Sequence, residues 1–377
     1  MTQRSIVCAT SLAGGREAFS TLGRVTMVPE AEITAGMIRD ADMLFTRSKV
    51  HVTDKLLDGC RLKFYGTATA GTDHVDVAAL ERRGIAWAAA PGSNANSVAE
   101  YVIASLAWLG RRDKINWAGK TIAIIGAGHV GARLSLLASA LGLHVRLNDP
   151  PLRESTGEAR YENLHDILKL ADVVSLHVPL TDTGKYPTRG MVDESFLANL
   201  KPGAVFINAS RGEVVRNEKI LADLRRDGGL SALLLDVFLN EPDVSPQLIG
   251  AADLATPHIA GYSLDARIKG TGMVYRAACR HVGIEPSWTE QNQKAATSGI
   301  NLDGELDLHR VILAAYDPAA DDQRFRHCPP GTSMAMHFRW LRENYPERRE
   351  FNRYRLASSC RTPPAIATQL THLGFNN

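Results

Sequence analysis

The chain has 377 residues, 45% hydrophobic and 22% charged, the balance of a soluble globular protein long enough for two or three domains. Lys and Arg number 43 against 41 Asp and Glu, a net charge of +2, which removes any general electrostatic case for nucleic acid or an acidic membrane as partner. The five scattered cysteines (Cys8, Cys60, Cys279, Cys328, Cys360) lack metal-ligand spacing and argue against a disulfide framework or a bound metal, a pattern that fits the cytoplasm; no apolar run has the roughly 18 residues of a membrane helix.

Residues 1–97 alternate strand and helix patterns. Strands are expected at Ser5–Ala9, Arg24–Met27, Ala41–Thr46, Lys63–Gly66 and Ile85–Ala88, with helices at Gly15–Leu22 and Val77–Arg83. The segment Ile6–Leu12 is too short and polar for the core of a signal peptide and reads as the first strand. Such a pattern implies a doubly wound, flavodoxin-like parallel sheet. Ligands collect at the carboxyl ends of strands in these sheets, which places Ser48 and Thr69 at a candidate site; plain turn formation explains them equally well.

Pro91-Gly92-Ser93-Asn94 reads as a link, and Ser97-Val98-Ala99-Glu100 has capping-box spacing ahead of a helix to about Gly110. A second domain follows. Ile122–Ile125 is a buried-strand pattern that runs into Gly126-Ala127-Gly128-His129-Val130-Gly131, a G-x-G-x-x-G between strand and helix. Gly126 permits the tight turn, Gly128 lets backbone amides approach a pyrophosphate, and Gly131 lets the helix sit close to the sheet. The next strand, His144–Leu147, is followed by Asp149, whose carboxylate suits ribose hydroxyls and repels a 2′-phosphate, so the expected cofactor is NAD. Further strands are expected at Val173–His177, Ala204–Asn208, Ala232–Asp236 and Asp253–Ala255, with helices at Asp166–Ala171, Asp193–Asn199 and Asn217–Arg226. A helical stretch through Val282 can return to the first sheet.

The expected organisation is therefore α/β: a substrate domain of residues 1–97 and 263–286, and an inserted Rossmann NAD-binding domain of residues 98–262. A small α+β tail domain occupies residues 287–377, with a polar linker at 287–300, a strand-like VILAAYD and a charged helix HFRWLRENYPERREF. Arg348 and Arg349 in that helix read as a solvated charge face, with reach into a neighbouring subunit as the alternative.

Arg211, Glu241 and His258 each stand just past a strand of the dinucleotide sheet. Hydride transfer from a secondary alcohol needs a base for the hydroxyl proton, a task suited to an imidazole, and His258 is the candidate. Glu241 would stabilise its protonated ring, and the Arg211 fork would grip an α-carboxylate. Singly, each is an ordinary turn or surface residue; at three strand ends of one sheet they form a constellation. Asp236 is placed to meet the nicotinamide carboxamide, or to serve as a strand-end turn acid.

These residues carry a resemblance. IGAGHVGARL, NASRGEVV, LLLDVFLNEP and TPHIAGYS are similar to the D-2-hydroxyacid dehydrogenase family over nearly all of residues 40–285. RSKV, FYGTATAGTDHVD, NDPPLR, HIAGYSLDARIKGT and the tail elements LRENYPERREF and LGFN resemble one branch of it that acts on a small phosphorylated 2-hydroxy acid; a homodimer held partly by residues after about 286 is expected separately, because a small appended domain with its own strands can add sheet edges or helices across a two-fold. The resemblance implies Arg211 and Glu241 as catalytic residues, His258 as proton donor in the reductive direction, and Ser48 and Thr69 as substrate contacts. It implies Asp149, Ala209, Ser210, Arg211, Asp236, Gly261 and Tyr262 as NAD contacts beside the glycine loop. Ala9-Thr10-Ser11, Val178 and Gly190 depart from the branch's pattern. Rival readings are a dehydrogenase for another D-2-hydroxy acid and an NADH-sensing binding protein.

Overall fold

The computed structural model describes residues 3–290, 298–302, 306–357 and 362–376, and divides the chain into two units: Met1–Asn94 with Ser263–Ala296, and Ala95–Tyr262 with Thr297–Asn377. In the first unit, β1 (Ser5–Ala9), β2 (Arg24–Val28), β3 (Met43–Thr46), β4 (Phe64–Thr67) and β5 (Ala86–Ala88) form a parallel sheet in the order β2-β1-β3-β4-β5. The order is flavodoxin-like, as the alternating pattern implies. β3 and β4 are buried throughout, which explains their unbroken apolar runs. The helix Leu264–Val282 returns to this sheet and buries Val274, Tyr275, Ala278 and Cys279 in its core.

The second unit holds β6 (Thr121–Ile125), β7 (His144–Asn148), β8 (Val173–Leu176), β9 (Ala204–Asn208), β10 (Leu230–Leu235) and β11 (Leu254–Ala255). They are parallel, in the order β11-β10-β9-β8-β6-β7. The chain reverses direction across the sheet between β6 and β8, so the switch point lies at the carboxyl end of β6, where the glycine loop begins.

The boundary helix differs from the expectation. It runs from Ala95 to Arg112, so Ser97 and Glu100 lie inside it rather than forming a capping box. The Ser97 hydroxyl donates to the Ala260 carbonyl at 2.9 Å, and the Glu100 carboxylate accepts from the Phe351 amide at 3.0 Å. A helix at Pro150–Thr156, capped by Asp149, went unread because its two prolines look like a loop; at the first turn they cost no backbone bond.

The tail departs furthest. VILAAYD is not a strand: Leu308–Ala315 is a helix, capped by Asp307 and burying Val311, Ile312 and Ala315. The charged helix is shorter than expected, Met334–Glu343, and the chain then runs through Pro346. Among the described residues the tail builds no core of its own; Val311, Ile312, Tyr316, Phe351, Leu370 and Phe375 complete the core that packs on β6 and the Ala95–Arg112 helix. Its two short strands, β12 (Ser298–Ile300) and β13 (Tyr354–Leu356), pair in parallel. Arg348 and Arg349 are 5% and 8% exposed, which corrects the reading of a solvated face. Arg348 donates to the Ala260 carbonyl at 3.0 Å and the Ser97 carbonyl at 2.6 Å, with its guanidinium 3.8 Å from the Tyr316 ring centroid. Half of the linker, residues 291–297, lies outside the described residues. No helix among the described residues is long and apolar enough to cross a membrane.

Candidate active site

The glycine loop has the geometry that a dinucleotide requires. Gly126 sits at φ +91°, and a Cβ there would lie 2.6 Å from the His177 carbonyl oxygen. A Cβ on Gly131 would lie 2.0 Å from the Gly126 oxygen, whereas one on Gly128 would meet nothing within 4 Å. Gly126 and Gly131 are thus fixed by the protein's own packing, and Gly128 borders open space. The helix His129–Ala140 starts at Gly128 with no side-chain cap, so its first amides are available to an anion; His129 and Val130 form its first turn.

Asp149 half-belongs to this loop. Its Oδ2 accepts from the Ala127 amide at 2.9 Å and its Oδ1 from the Leu152 amide at 3.0 Å. Each carboxylate oxygen keeps a second lone pair, enough for ribose hydroxyls. At the end of β8, the buried Nδ1 of His177 lacks a hydrogen-bond partner, an orphaned polar atom next to the loop. Burial pulls the pKa of that ring down to about 3, so it is neutral. The residues therefore fit a dinucleotide.

Beyond β9, the Asn208 carboxamide oxygen accepts from the Ser210 amide (3.1 Å) and hydroxyl (2.8 Å), while its Nδ2 donates to the Arg211 carbonyl at 3.0 Å. This small network shapes the Ala209-Ser210-Arg211 turn, and Arg211 Nη1 donates to the Ser210 carbonyl at 2.8 Å. Gly212 follows, where a Cβ would lie 1.9 Å from the Phe238 carbonyl. The absence of a side chain lets the Arg211 turn press on the segment that leads to Glu241.

His258 lies past β11 at φ +55°, a left-handed conformation that costs a non-glycine residue on the order of 1 kcal/mol. Asp236, 1% exposed at the end of β10, holds it there. Its Oδ1 accepts from the Thr256 hydroxyl (2.7 Å) and the Ile259 amide (2.8 Å), its Oδ2 from the Ala260 amide (2.9 Å), and its carbonyl from the His258 amide (2.7 Å). Burial raises the Asp236 pKa to about 6 against the pull of His258 and these donors. The structure thus gives Asp236 a definite task, clamping the His258 turn, where the sequence offered only a choice.

The imidazole Nδ1 of His258 lies 2.7 Å from Glu241 Oε2, and the Phe238 amide donates to Glu241 Oε1 at 2.9 Å. Burial pushes the Glu241 carboxyl up, but the His258 charge and hydrogen bond, with the Phe238 amide, outweigh it and hold the group below its ordinary pKa. An ionised Glu241 selects the tautomer with the proton on Nδ1 and leaves the Nε2 lone pair for a substrate proton. Gly261 and Tyr262 continue the His258 loop, and the Tyr262 hydroxyl accepts from Nε of Arg342 at 3.1 Å. Arg342 was missed from sequence because it sits in a run of charges, the appearance of a solvated face.

In the first unit, Ser48 and Thr69 each lie two residues past adjacent strands, paired at Thr46 and Thr67. The Thr69 hydroxyl lies 2.8 Å from that of Thr67 and donates to the Gly71 carbonyl at 2.8 Å; Thr67 in turn lies 3.0 Å from His74 Nε2.

Residues 96–260 match the NAD-binding domain of the D-isomer-specific 2-hydroxyacid dehydrogenases, and residues 289–374 match a domain family of unknown function, DUF3410. An erythronate-4-phosphate dehydrogenase of Cellvibrio japonicus is 41% identical over 371 residues, covering 95% of this chain and 96% of its own. That of Escherichia coli O127:H6 is 41% identical, covering 96% and 95%. The chain belongs to the erythronate-4-phosphate dehydrogenase family, within the D-2-hydroxyacid dehydrogenases. Its enzymes are oxidoreductases, and its dinucleotide is NAD. Among solved structures, NAD-bound 3-phosphoglycerate dehydrogenase of Entamoeba histolytica shares the fold at TM-score 0.63 and 24% identity, covering 75% of this chain and 96% of its own. Formate dehydrogenase of Staphylococcus aureus, with NAD, gives 0.61 and 20%, covering 76% and 98%. Nearly whole dehydrogenases thus match only three-quarters of this chain, and the DUF3410 tail is about the size of the remainder.

Proposed function

We propose that the chain oxidises C2 of 4-phospho-D-erythronate to (R)-3-hydroxy-2-oxo-4-phosphooxybutanoate with NAD, a step toward pyridoxal 5′-phosphate. The observation that carries this is the His258–Glu241 pair at 2.7 Å on a turn clamped by Asp236, in a chain whose relatives bear the name of that substrate. When bound, NAD accepts the hydride. His258 Nε2 takes the C2 hydroxyl proton as the carbonyl forms; ionised Glu241 stabilises the imidazolium; Arg211 grips the α-carboxylate through two N–H groups. Asp149 receives the ribose hydroxyls, the amides that start the Gly128–Gly131 turn receive the pyrophosphate, and Ala209, Ser210, Asp236, Gly261 and Tyr262 complete the cofactor's surroundings. Ser48 supplies a hydroxyl donor to the substrate and Thr69, whose own proton goes to the Gly71 carbonyl, a contact beside it, a reading supported by their places at the carboxyl ends of β3 and β4.

A panel of acids assayed with NAD and with NADP tests the reading. 4-Phospho-D-erythronate with NAD should exceed D-3-phosphoglycerate, D-glycerate and D-lactate in kcat/KM, and NADP should be the poorer cofactor. Equal efficiency on unphosphorylated acids, or no turnover of any, would transfer the chain to another substrate or to a sensing role.

The protein is further proposed to be a cytoplasmic homodimer joined through the tail. Met336 and Trp340, 62% and 58% exposed, are four residues apart on the Met334–Glu343 helix, an apolar stripe suited to a second copy; the four described cysteines are free, as a reducing compartment would keep them. The double variant Met336→Glu, Trp340→Glu should run as a monomer in light scattering. An unaltered dimer mass would remove this face from the interface.

A further inference from the structure

Arg342 belongs to the tail, yet its neighbours belong to the catalytic loop. The helix Met334–Glu343 places its guanidinium 5.3 Å from the Tyr262 ring centroid and 5.7 Å from that of Phe338, with Nε donating to the Tyr262 hydroxyl at 3.1 Å. Tyr262 follows His258 by four residues, and its amide donates to the Ile259 carbonyl at 2.9 Å, so the loop that presents the imidazole also seats this cation.

A guanidinium has five N–H donors in a rigid fork. Tyr262 engages one of them, and the aromatic rings lie near the planar group. The four N–H groups on Nη1 and Nη2 have no hydrogen-bond or ion-pair partner among the described residues, although Arg342 is half-buried. Its charge adds to those that hold Glu241 below its ordinary pKa, and Glu241 is already engaged by His258 and the Phe238 amide. A half-buried fork with its donors unassigned, beside a catalytic pair that handles an anionic substrate, has the form of an anion receptor.

We infer that Arg342, carried to the catalytic loop by the tail helix and oriented by the Tyr262 hydroxyl, is the residue that receives the phosphate of the substrate. The inference rests on the proposed reading of the chain as a dehydrogenase of a phosphorylated 2-hydroxy acid, and it gives the DUF3410 region a part in specificity as well as in folding. Arg211 then holds the carboxylate end and Arg342 the phosphate end. The same chemistry would also suit the cofactor's pyrophosphate, and the test separates the two.

Full-length Arg342→Gln and Arg342→Lys, each checked for unaltered thermal melting, are compared with the parent in three measurements. Inorganic phosphate is titrated calorimetrically into protein saturated with NADH; kcat/KM is measured on 4-phospho-D-erythronate and on unphosphorylated D-erythronate; and the Kd of NADH is measured. In Arg342→Gln, phosphate binding and kcat/KM on the phosphorylated acid should fall about 10- to 100-fold, the scale of a lost charge-assisted pair. D-erythronate turnover and the affinity for NADH should fall by clearly less than the loss on the phosphorylated acid. Arg342→Lys should recover part of the phosphate binding, since it keeps the charge and loses the fork. Absent phosphate binding in the parent, unchanged binding in the Gln variant, or an equal loss on both acids would overturn the inference, and a matching loss in NADH affinity would assign the cation to the cofactor. If the parent fails to turn over 4-phospho-D-erythronate, the functional reading falls, while the phosphate titration still decides the role of Arg342.

Discussion

Replacing His258 by Asn should lower kcat about 100-fold or more, the scale of a lost general base, while the protein stays folded. The choice of Asn follows from the backbone. Residue 258 sits at φ +55°, where Asn is among the best tolerated non-glycine residues. The Asp236 clamp acts on main-chain amides and on Thr256, all of which survive the substitution. The carboxamide can still bond to Glu241 but has no basic nitrogen. A stopped-flow record of NADH formation, read beside a thermal melt, checks the result; a folded variant with near-normal kcat would remove His258 from the proton transfer.

Arg211→Lys should lower kcat/KM by about 10- to 100-fold, the consequence of exchanging two charge-assisted hydrogen bonds for one. The surrounding turn isolates this effect. Asn208 shapes the turn through the Ser210 amide and hydroxyl and the Arg211 carbonyl, and Gly212 fixes its approach to Phe238, so the lysine starts from the same backbone. Steady-state kinetics on 4-phospho-D-erythronate suffice, and wild-type kcat/KM would show that Arg211 does not grip the substrate.

What the sequence made legible was local. The strand, glycine loop and helix from Thr121 to Ala140 were readable because a buried parallel strand is apolar throughout, a helix repeats every three to four residues, and each glycine has a steric role. The parallel, doubly wound character of both sheets followed from the alternation of such units, whereas the strand orders came from the structure. Glu241 and His258 were singled out because both follow strand ends, and the structure brings them to 2.7 Å. Contacts set by distant segments were not legible. The donors that converge on Asp236 depend on the left-handed turn at His258, for which a histidine gives no notice. VILAAYD has the composition of a strand, yet Val311, Ile312 and Ala315 fall on one side of a helix, and the packing of Leu308–Ala315 against the Ala95–Arg112 helix decided between the two. Nothing in a run of charges distinguishes Arg348, covered by Tyr316, from an arginine in water.

The Ala260 carbonyl accepts from the Ser97 hydroxyl and from Arg348 at once. Two residues after His258, then, the main chain is fastened to the helix that opens the dinucleotide unit and to a segment nearly ninety positions downstream. One family match ends at residue 260 and another starts at 289, yet residues 95–262 and 297–377 fold as a single unit. A tail cut away at that boundary would take Arg348 from beneath Ala260 and leave the carbonyl only the Ser97 hydroxyl of these two donors.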